Sequence, residues 1–204
     1  MGLAEALNVD VFFDYLCPFV YRASLLLDAV QRSGTRDIKV HWRYFSLTQV
    51  NSKNDGWTVW TAPASEMVRG RLAFAAAEAA RRQGRFDAFH HALLSARHRH
   101  RLDIDAPDVI DDVARAAEVD VDRLRSGVAD PGILETLASD HMHGVSEHGI
   151  FGTPTLVFAD GASAYVRLAE PVAGDNYLEV FERLLAVAAS EPRILEIKRP
   201  HKPA

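Results

Sequence analysis

Hydrophobic and polar positions follow two different periods in the first part of the chain. Residues 8–15 (NVDVFFDY) form a run of β-branched and aromatic side chains, which is typical of a buried strand. Apolar residues then recur at helical spacing over residues 21–30, and residues 38–45 (IKVHWRYF) alternate as in a second strand. This order predicts a βαβ unit, in which the crossover is right-handed and the strands are parallel.

Two residues mark the predicted ends of the first helix. Pro18 suits the first helical position, because the N–H group that proline lacks would have no partner there. Gly34 follows Ser33 and is a helix-stop signal. Cys17 therefore lies between the end of a buried strand and the start of a helix.

A polar, irregular segment and then a long helical pattern follow the second strand. Residues 48–63 contain Trp57 and Trp60, and loops of this length usually carry function or move. Beyond them the pattern stays helical until about residue 149. It predicts five helices, at residues 65–84 with Ser65 as the cap, 86–99, 106–119, 121–129 and from Pro131 towards Gly149.

Strand periodicity returns near the end of the sequence. Residues 154–159 (PTLVFA) are strand-like, residues 160–161 (DG) are a hairpin signal, and residues 163–168 are expected to form the return strand. Residues 176–189 predict a final amphipathic helix. The basic tail from residue 196 contains two prolines and is expected to be loosely ordered.

The order of these elements predicts the fold class. Without the helical block, the chain is βαβ followed by ββα, which is the order of a thioredoxin core. We therefore predict an α/β, thioredoxin-like fold with a mostly α-helical insertion. Residues 1–62 and 150–204 are expected to form the thioredoxin-like domain, and residues 63–149 the insertion.

Composition narrows the expected location and partners. The formal net charge of −5 gives no general attraction to nucleic acid, which calls for a basic face. The N-terminal residues lack the basic and apolar regions of a signal peptide, and no apolar run approaches the roughly 18 residues of a membrane span. The single cysteine excludes an intramolecular disulfide. Together these features predict a cytoplasmic protein without nucleic-acid or membrane partners.

The position of Cys17 allows two interpretations. At the start of a helix, the helix dipole and the unpaired N–H groups favour an anion, and the thiolate is the reactive form of cysteine. Cys17 is then a catalytic nucleophile or redox thiol. Alternatively, it is a small buried apolar residue, as intracellular cysteines commonly are.

Two segments far apart in the chain resemble one family. FDYLCPFVYRA, followed much later by GIFGTPTLVF, is similar to the paired motifs of the DsbA-like thioredoxin-domain family, particularly its cytosolic FrnE-like branch. The matching positions are Asp14, Cys17, Pro18, Tyr21, Gly149, Gly152, Thr153, Pro154 and Thr155. The resemblance implies a cis bond between Thr153 and Pro154 beside Cys17, with the Thr153 backbone hydrogen-bonding an extended thiol partner.

The sequence departs from that family at the motif itself. Val20 stands where the second cysteine is usual, and Phe19 stands where tryptophan is usual. Without a resolving thiol, the protein cannot cycle as a dithiol oxidant, reductase or isomerase. A monothiol route remains, in which Cys17 attacks a disulfide or peroxide and an external low-molecular-weight thiol releases it.

The expected substrate site surrounds this thiol. We expect Pro18, Phe19, Val20, Thr153 and Pro154 to contact substrate. We expect no bound cofactor, a small thiol as co-substrate at most, and either a monomer or a homodimer.

Four further groups of residues are candidates for a function. Asp14 either transfers protons or caps a helix or pairs with a cation. Trp57, with Trp60, either forms the floor of a substrate pocket or anchors the helical block to the core. His90 and His91 point apart on a helix with no cysteine nearby, so no metal site is expected. Residues 97–101 (RHRHR) are interpreted as a solvated helix end, where cations offset the dipole.

Two other functions remain open alongside the monothiol oxidoreductase. One is an enzyme of the glutathione-transferase-kappa or hydroxychromene-carboxylate-isomerase type, whose members resemble this sequence but have serine at the first motif position. That kind of site activates a bound thiol rather than forming a disulfide. The other is a non-catalytic thioredoxin-fold binding module, which the missing second cysteine supports.

Overall fold

A four-stranded mixed sheet forms the centre of the protein. The structure is a computed structural model that describes residues 6–172, 174–191 and 193–197. The strands are β1 (Leu7–Phe13), β2 (Ile38–Tyr44), β3 (Thr155–Phe158) and β4 (Ser163–Tyr165), and their order across the sheet is β2-β1-β3-β4. β1 and β2 are parallel, whereas β1–β3 and β3–β4 are antiparallel. The predicted thioredoxin-like α/β fold is confirmed.

The central strand β1 is buried on both faces of the sheet. Phe13 lies in the main core, whereas its neighbour Phe12 packs on the opposite face with Phe45, Ile150 and Val157. Successive side chains of a strand point to opposite faces, so a strand covered on both sides carries a continuous apolar run. This double burial explains the continuous apolar run from Val11 to Phe13, whereas the first half of β1 alternates, with Asn8 and Asp10 less buried than Val9.

Eight helices surround the sheet in the part of the chain that the structure describes. They are α1 (Pro18–Ser33), α2 (Leu47–Val50), α3 (Arg71–Arg81), α4 (Phe86–His98), α5 (Pro107–Ala116), α6 (Val121–Val128), α7 (Pro131–His148) and α8 (Tyr177–Ala188). α1 begins with Pro18 and ends at Gly34, whose φ of 64° is left-handed. α1 packs against α8 and α4, and α3 to α6 pack on one another. None of these helices is long and apolar enough to cross a membrane.

Helix α3 begins six residues later than predicted. Ser65 lies in a turn and caps no helix, since Gly70 precedes α3 with a left-handed φ of 80°. The Gly70 N–H donates to both carboxylate oxygens of Asp105, at 2.9 and 2.8 Å. This bond to a distant loop interrupts the helix, so the prediction of a helix from Ser65 was wrong.

Two other boundaries also differ from those predicted. The segment predicted as an irregular loop includes α2, because Ser46 Oγ accepts from the Gln49 N–H and caps a short helix. The return strand β4 ends at Tyr165 rather than at Leu168. Tyr165 lies opposite Thr155, and the next partner, Pro154, has no N–H to continue the ladder. The predicted loosely ordered tail lies almost entirely outside the described residues.

Candidate active site

Cys17 lies at the start of α1 and faces the loop before β3. It is the N-cap residue, with φ −87° and ψ 116°, and Pro18 follows at the first helical position. Its Sγ donates a hydrogen bond to the carbonyl oxygen of Thr153 at 3.2 Å, across 136 positions of sequence. The Thr153–Pro154 bond is cis. The fold therefore brings the two halves of the motif pair together.

The hydrogen bond to Thr153 bears on the chemistry of the thiol. Cys17 is only 5% exposed, and its side chain accepts no hydrogen bond from the first turn of α1. Only a protonated thiol can donate to a carbonyl, so Sγ must leave Thr153 O when it becomes a thiolate. The Thr153 hydroxyl is also buried, and it has no hydrogen-bond partner among the described residues. The loop that Cys17 faces therefore contains a buried hydroxyl group that makes no hydrogen bond within the described residues.

The residues that follow Cys17 have three different environments. Pro18 is exposed, Phe19 is half-buried, and Val20 is fully buried in the main core. The Phe19 ring lies under the guanidinium of Arg167 at 4.0 Å, and the guanidinium of Arg22 lies 5.2 Å from the same ring. Of these three residues, all expected to contact substrate, Pro18 and Phe19 thus reach the surface, whereas the Val20 side chain does not.

Asp14 is fully buried and serves two backbone groups. Its Oδ1 accepts from the Leu16 N–H at 2.7 Å, and its Oδ2 accepts from the Leu47 N–H at 2.6 Å. Burial raises the pKa of Asp14 to about 6, against the opposing effect of these two hydrogen bonds. Asp14 forms no ion pair within the described ranges. It therefore joins the loop before α1 to the start of α2, instead of pairing with a surface cation.

Helix α4 holds Tyr15, two residues before Cys17, at both ends. The Tyr15 hydroxyl and His90 Nδ1 share a hydrogen bond at 3.0 Å, and both residues are fully buried. The Tyr15 carbonyl accepts from His98 Nε2 at 2.8 Å. Burial lowers the pKa of His90 well below its usual range and also lowers that of His98. Two neutral histidines thus fix the segment that carries the cysteine.

Sequence reasoning did not identify His90 and His98 as part of this site. It considered His90 only as a metal ligand and interpreted His98 as part of a solvated helix end, since no local pattern pairs an α4 histidine with a tyrosine 75 or 83 positions earlier. The one available signal was their spacing of eight residues, which places both on one face of a helix. In the part of the chain described, no group of three or more His, Cys, Asp or Glu side chains could hold a metal ion.

The two loop tryptophans pack in a cluster of their own. Trp57 and Trp60 contact a small group formed by Val59, Ala62 and Val68, whereas Cys17 belongs to the main core. The Trp57 indole N–H donates to Glu66 at 3.0 Å, and the Trp60 ring lies 5.2 Å from that of His141 on α7. These contacts anchor the loop to the helices and to itself.

Comparison with known proteins agrees with this arrangement. Residues 8–186 match the DSBA-like thioredoxin domain. The chain is 29% identical over 202 residues to the uncharacterized protein Rv2286c of Mycobacterium tuberculosis, covering 97% of this chain and 84% of that protein.

Solved structures share the fold at low identity. A probable DsbA oxidoreductase from Streptomyces coelicolor superimposes with a TM-score of 0.63 at 19% identity, covering 97% of this chain and 94% of the other. A thioredoxin-like oxidoreductase from Silicibacter pomeroyi gives a TM-score of 0.57 at 22% identity, covering 87% and 85%. DsbA-like thioredoxin domains typically work without a bound cofactor. The family match spans most of the sequence and both halves of the site, so this chain belongs to the DsbA-like thioredoxin domain family.

Proposed function

We propose that this protein is a thiol-dependent oxidoreductase that acts through Cys17 alone, by forming a mixed disulfide with a small or protein thiol. The observation that carries this proposal is the contact of Cys17 Sγ with the Thr153 carbonyl beside cis Pro154, in a chain with no second cysteine. Val20 fills the core where a resolving thiol would stand, so the mixed disulfide must be resolved from outside.

The reaction consists of two thiol–disulfide exchanges. Cys17 loses its proton to solvent, and the thiolate attacks one sulfur of a disulfide. The Cys17–S bond forms, the old S–S bond breaks, and the leaving sulfur takes the electron pair and then a proton. A second thiolate attacks the substrate sulfur of the mixed disulfide, which releases Cys17 and yields a new disulfide. Over the two steps one disulfide and one thiol become a new disulfide and a new thiol, so no further oxidant or reductant is consumed.

Intact-mass spectrometry tests the two steps directly. Incubation with hydroxyethyl disulfide should add one adduct to the wild type, and dithiothreitol should remove it. Cys17→Ala should gain no mass under the same conditions. A wild-type thiol that stays unmodified after prolonged incubation at neutral pH would contradict the proposal.

Cys17→Ser separates the proposal from its two alternatives. Under the proposal this variant loses all disulfide exchange. Retained turnover with a bound thiol would instead support the transferase-kappa or carboxylate-isomerase type of enzyme. A binding module predicts no turnover in the wild type and a partner pull-down that survives Cys17→Ala.

Val20→Cys tests whether the missing resolving thiol is the only barrier to dithiol chemistry. A cysteine three positions after Cys17 lies across the first turn of α1, as in the Cys-x-x-Cys arrangement. We expect the oxidised variant to lose two hydrogens by mass and to gain insulin-reducing activity. Ala23→Cys is the matched control, because Ala23 is equally buried but lies almost a full turn further along α1.

The single cysteine also supports a reducing compartment. A lone thiol that waits for an external thiol would need the small-thiol pool that such a compartment maintains. We therefore propose a cytoplasmic location, which fractionation of the native host would test.

A further inference from the structure

A basic cleft adjoins the reactive cysteine of this otherwise acidic protein. The cleft has a volume of about 370 Å³ and is lined by Leu16, Pro18, Arg97, His98 and Arg101. Leu16 and Pro18 are the immediate neighbours of Cys17 in sequence, so the cleft lies against the segment that carries the thiol, although the buried Cys17 does not itself line it. The run of residues 97–101, interpreted from sequence as a solvated helix end, therefore turns part of its charge towards the site.

The two arginines of the cleft have no carboxylate partner. Within the described residues, neither Arg97 nor Arg101 forms an ion pair within 4.0 Å, and Arg97 donates only to the Leu102 carbonyl, at 3.4 Å. Asp105 is an acidic group whose charge acts on Arg97, and both of its oxygens accept the Gly70 N–H. Asp103 lies in the same loop, and its Oδ1 accepts the Asp105 N–H.

Several other arginines of the helical region are paired, whereas Arg71 on α3 and Arg123 on α6 form no ion pair within the described residues. Ion pairs join Arg82 to Glu78 and Asp130, Arg85 to Glu118, Arg115 to Asp112, and Arg125 to Asp111. Arg97 and Arg101 differ from the other unpaired arginines because they line one cleft together with His98. Such a concentration of cations raises the local positive potential and attracts anions.

The other side of α1 adds further positive charge to the same end of the molecule. The guanidinium of Arg167 covers Phe19, and that of Arg22 lies near both Phe19 and the His98 ring. The His98 ring is fixed by its bond to the Tyr15 carbonyl and stacks on Tyr21 at 5.7 Å. The cleft therefore has one polar wall, His98, that is held in place by hydrogen bonding, and further guanidinium groups lie on the other side of α1.

We propose that this cleft binds the carboxylate end of an anionic low-molecular-weight thiol or its disulfide, while the sulfur of that molecule reaches Cys17. A guanidinium binds a carboxylate through two parallel hydrogen bonds, so Arg97 and Arg101 match such a ligand in charge and geometry. The inference rests on the proposed function, because it names the co-substrate class of the same thiol. The thiol–disulfide exchange at Cys17 follows the same two steps, with no oxidant or reductant beyond the bound disulfide and the second thiol.

Three disulfides of different charge distinguish anion binding by the cleft from the reactivity of the Cys17 thiol itself. Oxidised glutathione is anionic, hydroxyethyl disulfide is neutral and cystamine is cationic. The measured quantity is the rate constant of mixed-disulfide formation at Cys17, by intact mass, in the wild type and in Arg97→Gln/Arg101→Gln. With oxidised glutathione we expect the double variant to react at least about tenfold more slowly, which corresponds to the loss of about 1.4 kcal/mol of charge-assisted hydrogen bonding. With hydroxyethyl disulfide it should react within about twofold of the wild type, and with cystamine faster.

Arg99→Gln is the matched control. Arg99 is exposed at the same helix end and carries the same charge, but it does not line the cleft. It should change every rate by less than about twofold. Equal slowing by Arg99→Gln, or an unchanged rate with oxidised glutathione in the double variant, would overturn the inference. Equal slowing of all three disulfides would also overturn it, because the arginines would then support the site only structurally.

A binding measurement without sulfur chemistry separates failure of the cleft from failure of the proposed function. S-methylglutathione cannot exchange, so its binding to the wild type, followed by titration NMR, reports the anion site alone. Binding that disappears in Arg97→Gln/Arg101→Gln and persists in Cys17→Ala supports the cleft even if Cys17 proves unreactive. Absence of binding to the wild type, or equal binding to the double variant, refutes it.

Discussion

The two sides of Cys17 differ in how firmly they are held. On the side of β1, the Asp14 carboxylate takes two backbone N–H groups, and Tyr15 is bound by α4 at its hydroxyl and its carbonyl. On the side of β3, only the Thr153 carbonyl is bonded to the thiol, and the Thr153 hydroxyl has no partner among the described residues. Phe151, two positions earlier, is 68% exposed.

This difference indicates that the segment before Cys17 positions the sulfur, whereas the loop before β3 contacts the molecule that reacts with it. Buried hydrogen bonds to the segment before Cys17 restrict its conformations, which fixes where the sulfur stands. The loop before β3 keeps unused polar groups and an exposed aromatic ring, which a bound molecule can contact. Substitutions on the first side should therefore change the stability of the fold, whereas substitutions on the second should chiefly change reaction with a partner.

The largest effect on stability is expected from the ionisation of Asp14. Burial raises its pKa from 3.8 to about 6, so the folded protein retains a proton that the unfolded chain releases. The stabilisation from the protonated form is complete below pH 4 and is lost as the pH rises through 6, by on the order of 3 kcal/mol. Urea denaturation at several pH values between 4 and 7 should show the wild type losing stability relative to Asp14→Asn. A constant difference across this range would contradict the assignment.

Tyr15→Phe should have the next largest effect. It removes the hydroxyl that binds His90 Nδ1 and leaves a polar atom unpaired in a fully buried place. We expect a loss of about 1–3 kcal/mol in the free energy of unfolding. Tyr165→Phe is the control, because Tyr165 is 40% exposed, and it should change stability by less than about 0.5 kcal/mol. Equal losses of stability in the two variants would show that the hydrogen bond between Tyr15 and His90 on α4 does not stabilise the fold.

Gly70→Ala tests the contact between the loop before α3 and Leu16, which lies between Tyr15 and Cys17. Gly70 has a φ of 80°, and a Cβ there would lie 3.3 Å from Leu16 Cδ1. We expect a cost of about 1–2 kcal/mol for the left-handed conformation, with a further cost from crowding Leu16. Gly161→Ala measures the cost of the left-handed conformation alone, since Gly161 has a φ of 87° with no atom within 4 Å, so the difference between the two variants gives the cost of crowding Leu16. The comparison by urea denaturation fails if Gly161→Ala costs as much as Gly70→Ala.

Phe151→Ala should have the smallest effect on stability. Because the ring is largely exposed, the free energy of unfolding should change by less than about 0.5 kcal/mol. We expect the same variant to slow modification of Cys17 by a disulfide-bonded peptide, but not by hydroxyethyl disulfide. Stopped-flow or quenched mass measurements of both reactions would check this, and equal slowing of both would assign Phe151 a structural role.

Local patterns predicted much of the fold correctly. The βαβ unit followed from a change of hydrophobic period, and the ends of α1 followed from Pro18 and Gly34, whose backbone preferences act within a few residues. Where a boundary depended on a distant group, the pattern was insufficient. The start of α3 depends on Asp105, and the end of β4 depends on Pro154, which directly precedes β3.

The sequence by itself determined the nature of the candidate chemistry. One cysteine directly before a proline, a later Thr-Pro pair and Val20 three positions after the cysteine are facts of the sequence, and a chain with one cysteine cannot form an intramolecular disulfide. Only the tertiary structure decided how that thiol is held and what surrounds it. Cys17 and Thr153 meet across 136 positions, and Tyr15 meets α4 across 75 and 83. Hydrogen bonds over such separations depend on how the sheet and helices pack, which no local propensity encodes.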